Sequence, residues 1–93
     1  MNTKTPMYSI TAASKPVGTT SSVKDGWTRL IGLVDEYISR LSGVKDGTHL
    51  VQTWEYFRLD LVARSLAPWG DEGLIDGPDR HLWGVTKEDP REH

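Results

Sequence analysis

Between Asp71 and His81 the chain places Asp71, Glu72, Asp76, Asp79 and His81, a set of side chains able to ligate a hard cation, within eleven residues. Their spacing does not follow a calcium loop, which needs acids at alternate positions, then a glycine, then a distal glutamate; Pro78 interrupts the Asp76-Gly77 step where that glycine would fall. The segment is read as a solvated acidic loop, and no metal or cofactor is assigned to it. Asp79 stands two residues before His81 and could orient its imidazole for proton transfer, but no nucleophile accompanies the pair. His49 lies six residues before Glu55, a separation that puts the two on different faces of a helix and excludes a helical His-Glu ligand pair. Gly-x-Gly-x-x-Gly, the Walker lysine loop, Gly-x-Ser-x-Gly and His-Glu-x-x-His are all absent. No catalytic residue is assigned, and the chain is read as a non-enzyme.

Charge and composition narrow the partner classes. The formal net charge is −2 over 93 residues, unevenly spread: Lys4, Lys15 and Lys24 are unopposed in the N-terminal part, whereas acids outnumber bases after residue 70. Arg29, Arg40, Arg58 and Arg64 are offset by Asp35, Glu36, Glu55 and Asp60, so no basic stripe forms along which a phosphate backbone could run. Nucleic acid is set aside as the main partner; weak nucleic-acid binding through the basic N-terminal lysines, or a metal-dependent role, is the remote alternative. With no cysteine, disulfides, thiolate metal sites and cysteine nucleophiles are excluded. No apolar run has the length of a membrane span or of a secretory leader, and a cytoplasmic protein is expected.

Few elements are available to position these groups. Residues 1–21 are rich in Thr, Ser and Lys, with Pro6 and Pro16 as breakers, and read as a flexible arm; Tyr8, Ser9, Ile10 and Thr11 could add a strand to an edge offered by another chain. At Ser22, with Asp25 three residues on, a helix N-terminus is expected. Val23, Trp27, Leu30, Ile31, Val34, Tyr37, Ile38 and Leu41 then recur at helical spacing. Gly43 supplies a left-handed stop. After a short polar turn, Asp46 or Thr48 would cap a second helix that Pro68 ends. The expected fold class is therefore mainly α: an antiparallel two-helix hairpin (about 22–42 and 48–67) with a flexible N-terminal arm and an irregular, Trp- and Gly-containing C-terminal segment. Residues 22–85 would form the ordered domain and residues 86–93 a charged, disordered tail.

The second helix carries two apolar stripes. Leu50, Trp54, Phe57 and Leu61 form one; Val51, Leu59, Val62 and Leu66, widened by Ala63 and Tyr56, form the other. A single neighbouring helix covers one stripe, which leaves the other for the C-terminal segment or a second chain. Aromatic anchors dominate many interfaces, so Trp54, Tyr56, Phe57 and Leu61, with Trp69 and Trp83 from the C-terminal segment, are the candidate partner-binding residues. The functional expectation is a non-catalytic protein-protein interaction module, such as a phage or mobile-element inhibitor that occludes a partner protein. The alternative is a structural subunit of a larger particle. The partner is another protein or a second copy in a homodimer.

Overall fold

The computed structural model describes residues 7–67 and 72–88. In chain order the elements are β1 (Tyr8–Ala12), β2 (Lys15–Thr20), α1 (Val23–Leu41), α2 (Thr48–Ser65), β3 (Gly73–Asp76) and β4 (Leu82–Lys87). The strands form one antiparallel sheet in the order β2-β1-β4-β3. This is an α+β fold. It overturns the expected mainly α architecture, in which a two-helix hairpin carried a flexible arm and an irregular C-terminal segment.

The N-terminal region is the larger correction, because Tyr8–Ala12 and Lys15–Thr20 form a β-hairpin with Ala12 opposite Lys15. That register leaves Ala13 and Ser14 to make the turn, with φ of 52° and 64°. Two-residue turns of this hand are usually built from Asn-Gly or Asp-Gly, which tolerate positive φ. Here the stabilisation comes from 68 residues away: the Ser14 amide donates to the Leu82 carbonyl (2.8 Å), and the Leu82 amide donates to Ser14 Oγ (2.9 Å). Pro16 is accommodated because β2 is an edge strand. Between Ile10 and Thr11 the register slips, so Val17 is the extra residue of a bulge.

The C-terminal segment supplies the second hairpin, closed by hydrogen bonds from the Gly77 amide to the His81 carbonyl (2.8 Å) and from the Arg80 amide to the Gly77 carbonyl (3.0 Å). Pairing of β1 with β4 joins the two hairpins at the centre of the sheet. The expected charged tail begins inside this strand, since Thr86 pairs with Ser9 and Lys87 with Tyr8; residues 89–93 lie outside the described residues.

Both helices are present, with ends slightly different from those expected. Ser22 caps α1 by accepting from the Asp25 amide (3.3 Å). Beyond α1, the left-handed position belongs to Asp46 (φ 64°) and not to Gly43. Gly47 stands at the N-cap of α2, so neither Asp46 nor Thr48 takes that role. A Cβ at Gly47 would come within 2.5 Å of the Leu41 carbonyl oxygen, which reserves the position for glycine. Pro68, the expected stop of α2, lies outside the described residues. Tyr37 meets Trp54, Asp35 meets Arg58 and Trp27 meets Arg64; one number rises as the other falls, as antiparallel packing requires.

The core lies between the inner face of the sheet and the helices. Ile10 and Ala12 from β1, Trp83 and Val85 from β4, Trp27, Leu30 and Val34 from α1, and Trp54, Phe57 and Leu61 from α2 are all buried. Helix α1 approaches the sheet closely because Gly26 has no side chain: a Cβ there would lie 2.6 Å from Cγ2 of Val85. Gly32, two turns along the same helix, would meet nothing within 4 Å. Two substitutions of one kind should therefore act in opposite directions. Gly26→Ala should destabilise the fold by about 1–3 kcal/mol through overpacking, and Gly32→Ala should stabilise it by about 0.5–1 kcal/mol through helix propensity. Chemical denaturation of both variants beside the parent checks this, and equal shifts would contradict the close approach of α1 to β4.

Candidate functional site

Four of the six anchor residues expected to bind a partner are turned inward. Trp54, Phe57 and Leu61 share the face of α2 that meets α1 and the sheet, and all three are buried. Trp83, on the inner face of β4, is 1% exposed. Its ring lies 5.7 Å from Trp54 and 5.6 Å from Phe57, both edge-on, while Tyr37 of α1 stacks on Trp54 at 4.9 Å. Edge-on and stacked contacts of this kind contribute beyond the area they bury. Trp69 lies outside the described residues.

Tyr56 is the anchor that reaches the surface, at 75% exposure. It shares the outward side of α2 with Leu59 at 61% and Leu66 at 67%, and with exposed Ala63 between them. Positions 56, 59, 63 and 66 follow the three- and four-residue steps of one helical stripe. This is the outer part of the second apolar stripe visible in the sequence, whose Val51 and Val62 are half-buried, while Trp54, Phe57 and Leu61 of the first stripe join the core and Leu50 stays exposed. Burial of the Trp54 side is favoured because a stripe with a tryptophan and a phenylalanine removes more apolar area from water than one of leucines and valines. Leu59 and Leu66, absent from the expected anchors, are thus the larger part of the exposed surface.

The polar surroundings of this stripe are mostly paired. Arg58 Nε donates to Asp35 Oδ1 at 2.6 Å across the two helices, and the hydrogen bond, then the charge of Asp35, raises the arginine's pKa further above its ordinary value. Asp60 meets Arg64 at 3.4 Å. Glu55 is exposed beside the stripe and has no ion-pair partner among the described residues. The face is therefore apolar with one uncompensated negative charge.

The residues considered for acid-base or metal chemistry are dispersed. Asp79 accepts from the His81 amide (3.0 Å) and from the Trp83 indole N–H (3.2 Å), so its carboxylate holds a turn and a core tryptophan. Glu72 accepts from the Lys87 amide (3.2 Å). Asp76 is exposed on β3, and Asp71 lies outside the described residues. Among the described residues no three His, Asp or Glu side chains converge as metal ligands. His49 is exposed in the first turn of α2. Among the described residues no helix is long and apolar enough to cross a membrane.

Both sheet edges are poor templates for another strand. Edge strand β3 has four residues and ends at Asp76, and β2 carries Lys15, Pro16 and the bulge at Val17. The outward face of α2 is accordingly the better candidate contact surface. Comparison of the chain with protein-family models, with curated proteins and with solved structures finds no match.

Adjacent positions on opposite faces of α2 test this assignment. Phe57→Ala should cost about 3–5 kcal/mol of stability, as for other buried phenylalanines, whereas Tyr56→Ala should stay within about 0.5 kcal/mol of the parent. Urea midpoints of the two variants decide it, and comparable losses would mean that Tyr56 is part of the core.

Proposed function

We propose that this chain is a non-catalytic protein-interaction module that presents the outward face of α2 to an apolar groove on its partner. The observation that carries the reading is the exposed stripe of Tyr56, Leu59, Ala63 and Leu66. Anchors at such steps are how an amphipathic helix enters a groove on another protein. The stripe is also costly to leave in water, since full burial of each large apolar side chain is worth roughly 1.5–3 kcal/mol.

A helix seated in this way covers the groove it occupies, so the module would act as an inhibitor wherever that groove is a working surface of the partner. A cytoplasmic setting belongs to the same proposal and is supported by the cysteine-free composition.

The test is a pull-down from the native host with the tagged chain and its Leu59→Asp variant. The parent should retain a partner in stoichiometric amount and the variant should lose it, with unchanged melting because Leu59 is exposed. Equal capture by both proteins would remove the α2 face from the interaction.

A further inference from the structure

Helix α1 has α2 on one flank and β2 on the other. Asp35 reaches Arg58 of α2, whereas Arg29 Nη1 donates to the Thr19 carbonyl of β2 at 3.1 Å. On the β2 flank two adjoining hollows of about 280 and 300 Å³ share Val17, Leu33 and Glu36 as walls and together form one groove. Val17 stands out of the β2 ladder at the bulge and is 51% exposed. The groove is open beside Gly32, where a Cβ would meet nothing within 4 Å. A glycine in the middle of a helix weakens it, and no contact among the described residues requires one at that position.

The groove and the outward stripe of α2 match in length, hydropathy and charge. Arg29 and Arg40 line the two hollows, eleven residues apart on α1, or roughly 16 Å along the axis. Glu55 of α2 and Leu66 at its C-cap are likewise eleven positions apart. The groove sets two guanidiniums against the single carboxylate of Glu36, whose contact with Arg40 is loose at 4.0 Å. The α2 face is apolar and carries the uncompensated Glu55. The two surfaces lie on opposite flanks of α1, so one chain cannot bring them together.

We propose that the outward face of α2 docks into the α1–β2 groove of a second copy of this chain. The proposal rests on the reading of α2 as a docking surface and names its partner. The contact is heterologous: each copy offers a face at one side and a groove at the other, so association continues head to tail instead of closing as a two-fold dimer. Leu59 and Tyr56 enter the hollows, the open space beside Gly32 admits the incoming helix, and Glu55 lies toward the positive rim.

The experiment uses the full chain, with Leu59→Asp to disable the face and Val17→Asp to disable the groove. Both positions are exposed, and Gly32→Gln, which fills the groove where there is room for a side chain, stands in if Val17→Asp alters the melt. Light scattering up to roughly one millimolar, the range of weak association, should show the parent growing beyond twice its 10.4 kDa mass. Each variant alone should remain at that mass, and an equal mixture should stop at twice it, because one intact face then meets one intact groove. A parent that stays monomeric overturns the proposal, as does a Val17→Asp variant that still associates or a mixture that does not. A monomeric parent that retains a foreign protein through Leu59 overturns only the self-association and leaves the proposed function standing. If it retains none, both fail.

Discussion

The buried indole of Trp83 is the contact on which the remaining architecture depends. It projects from β4, a strand near the end of the chain, into the space between α1 and α2, and touches Tyr37, Trp54 and Phe57. Burying an indole requires a partner for its N–H, and Asp79 supplies one from the turn that precedes the strand. That turn comes close to the ring: a Cβ at Gly77 would fall 2.6 Å from it. The C-terminal hairpin is thus shaped around the side chain that attaches it to the helices.

Once β4 is held in this way, its free edge receives β1. The N-terminal hairpin has few apolar residues of its own, chiefly Ile10 and Ala12 facing inward, and its turn contains neither Asn nor Gly. An isolated two-stranded ribbon of that composition is marginal in water. Pairing with β4 and the reciprocal bonds between Ser14 and Leu82 supply what it lacks. The two ends of the chain stabilise each other, and this separation in sequence implies slow, late formation of the central strand pair relative to the local helix pair.

Surfaces follow from the unequal roles of the helices. Helix α1 lies against β4, β1 and β2 and is pressed to the sheet at Gly26, while α2 lies on the far flank of α1 and meets the sheet mainly through the aromatic contact with Trp83. The half of α2 turned away from α1 therefore faces water with its leucines and tyrosine exposed. On the other flank of α1 the bulge in β2 lifts Val17 and leaves a groove. An exposed apolar face on one flank of α1 and a groove on the other arise from the same arrangement.

The sequence by itself determined what is local. Helical spacing from Val23 to Leu41, the Ser22 cap and the two stripes of α2 all depend on residues within a few turns of one another, and each is present in the structure. It also showed that one neighbouring helix could not cover both stripes, which left the other for the C-terminal segment or a second chain. The sheet was hidden because its evidence is not local: a turn of Ala13 and Ser14, an edge strand with Pro16, and a short β3 beside a glycine at φ 148° all run against local preference. The turn is held by Leu82 from the opposite end of the sequence, and the two hairpins, each carrying one of these edge strands, are joined only by the pairing of β1 with β4. Tertiary packing likewise decided which aromatic residues would be core: Trp54, Phe57 and Trp83 read as anchors for a partner until β4 brought them together, because helical spacing defines a face but not what lies against it.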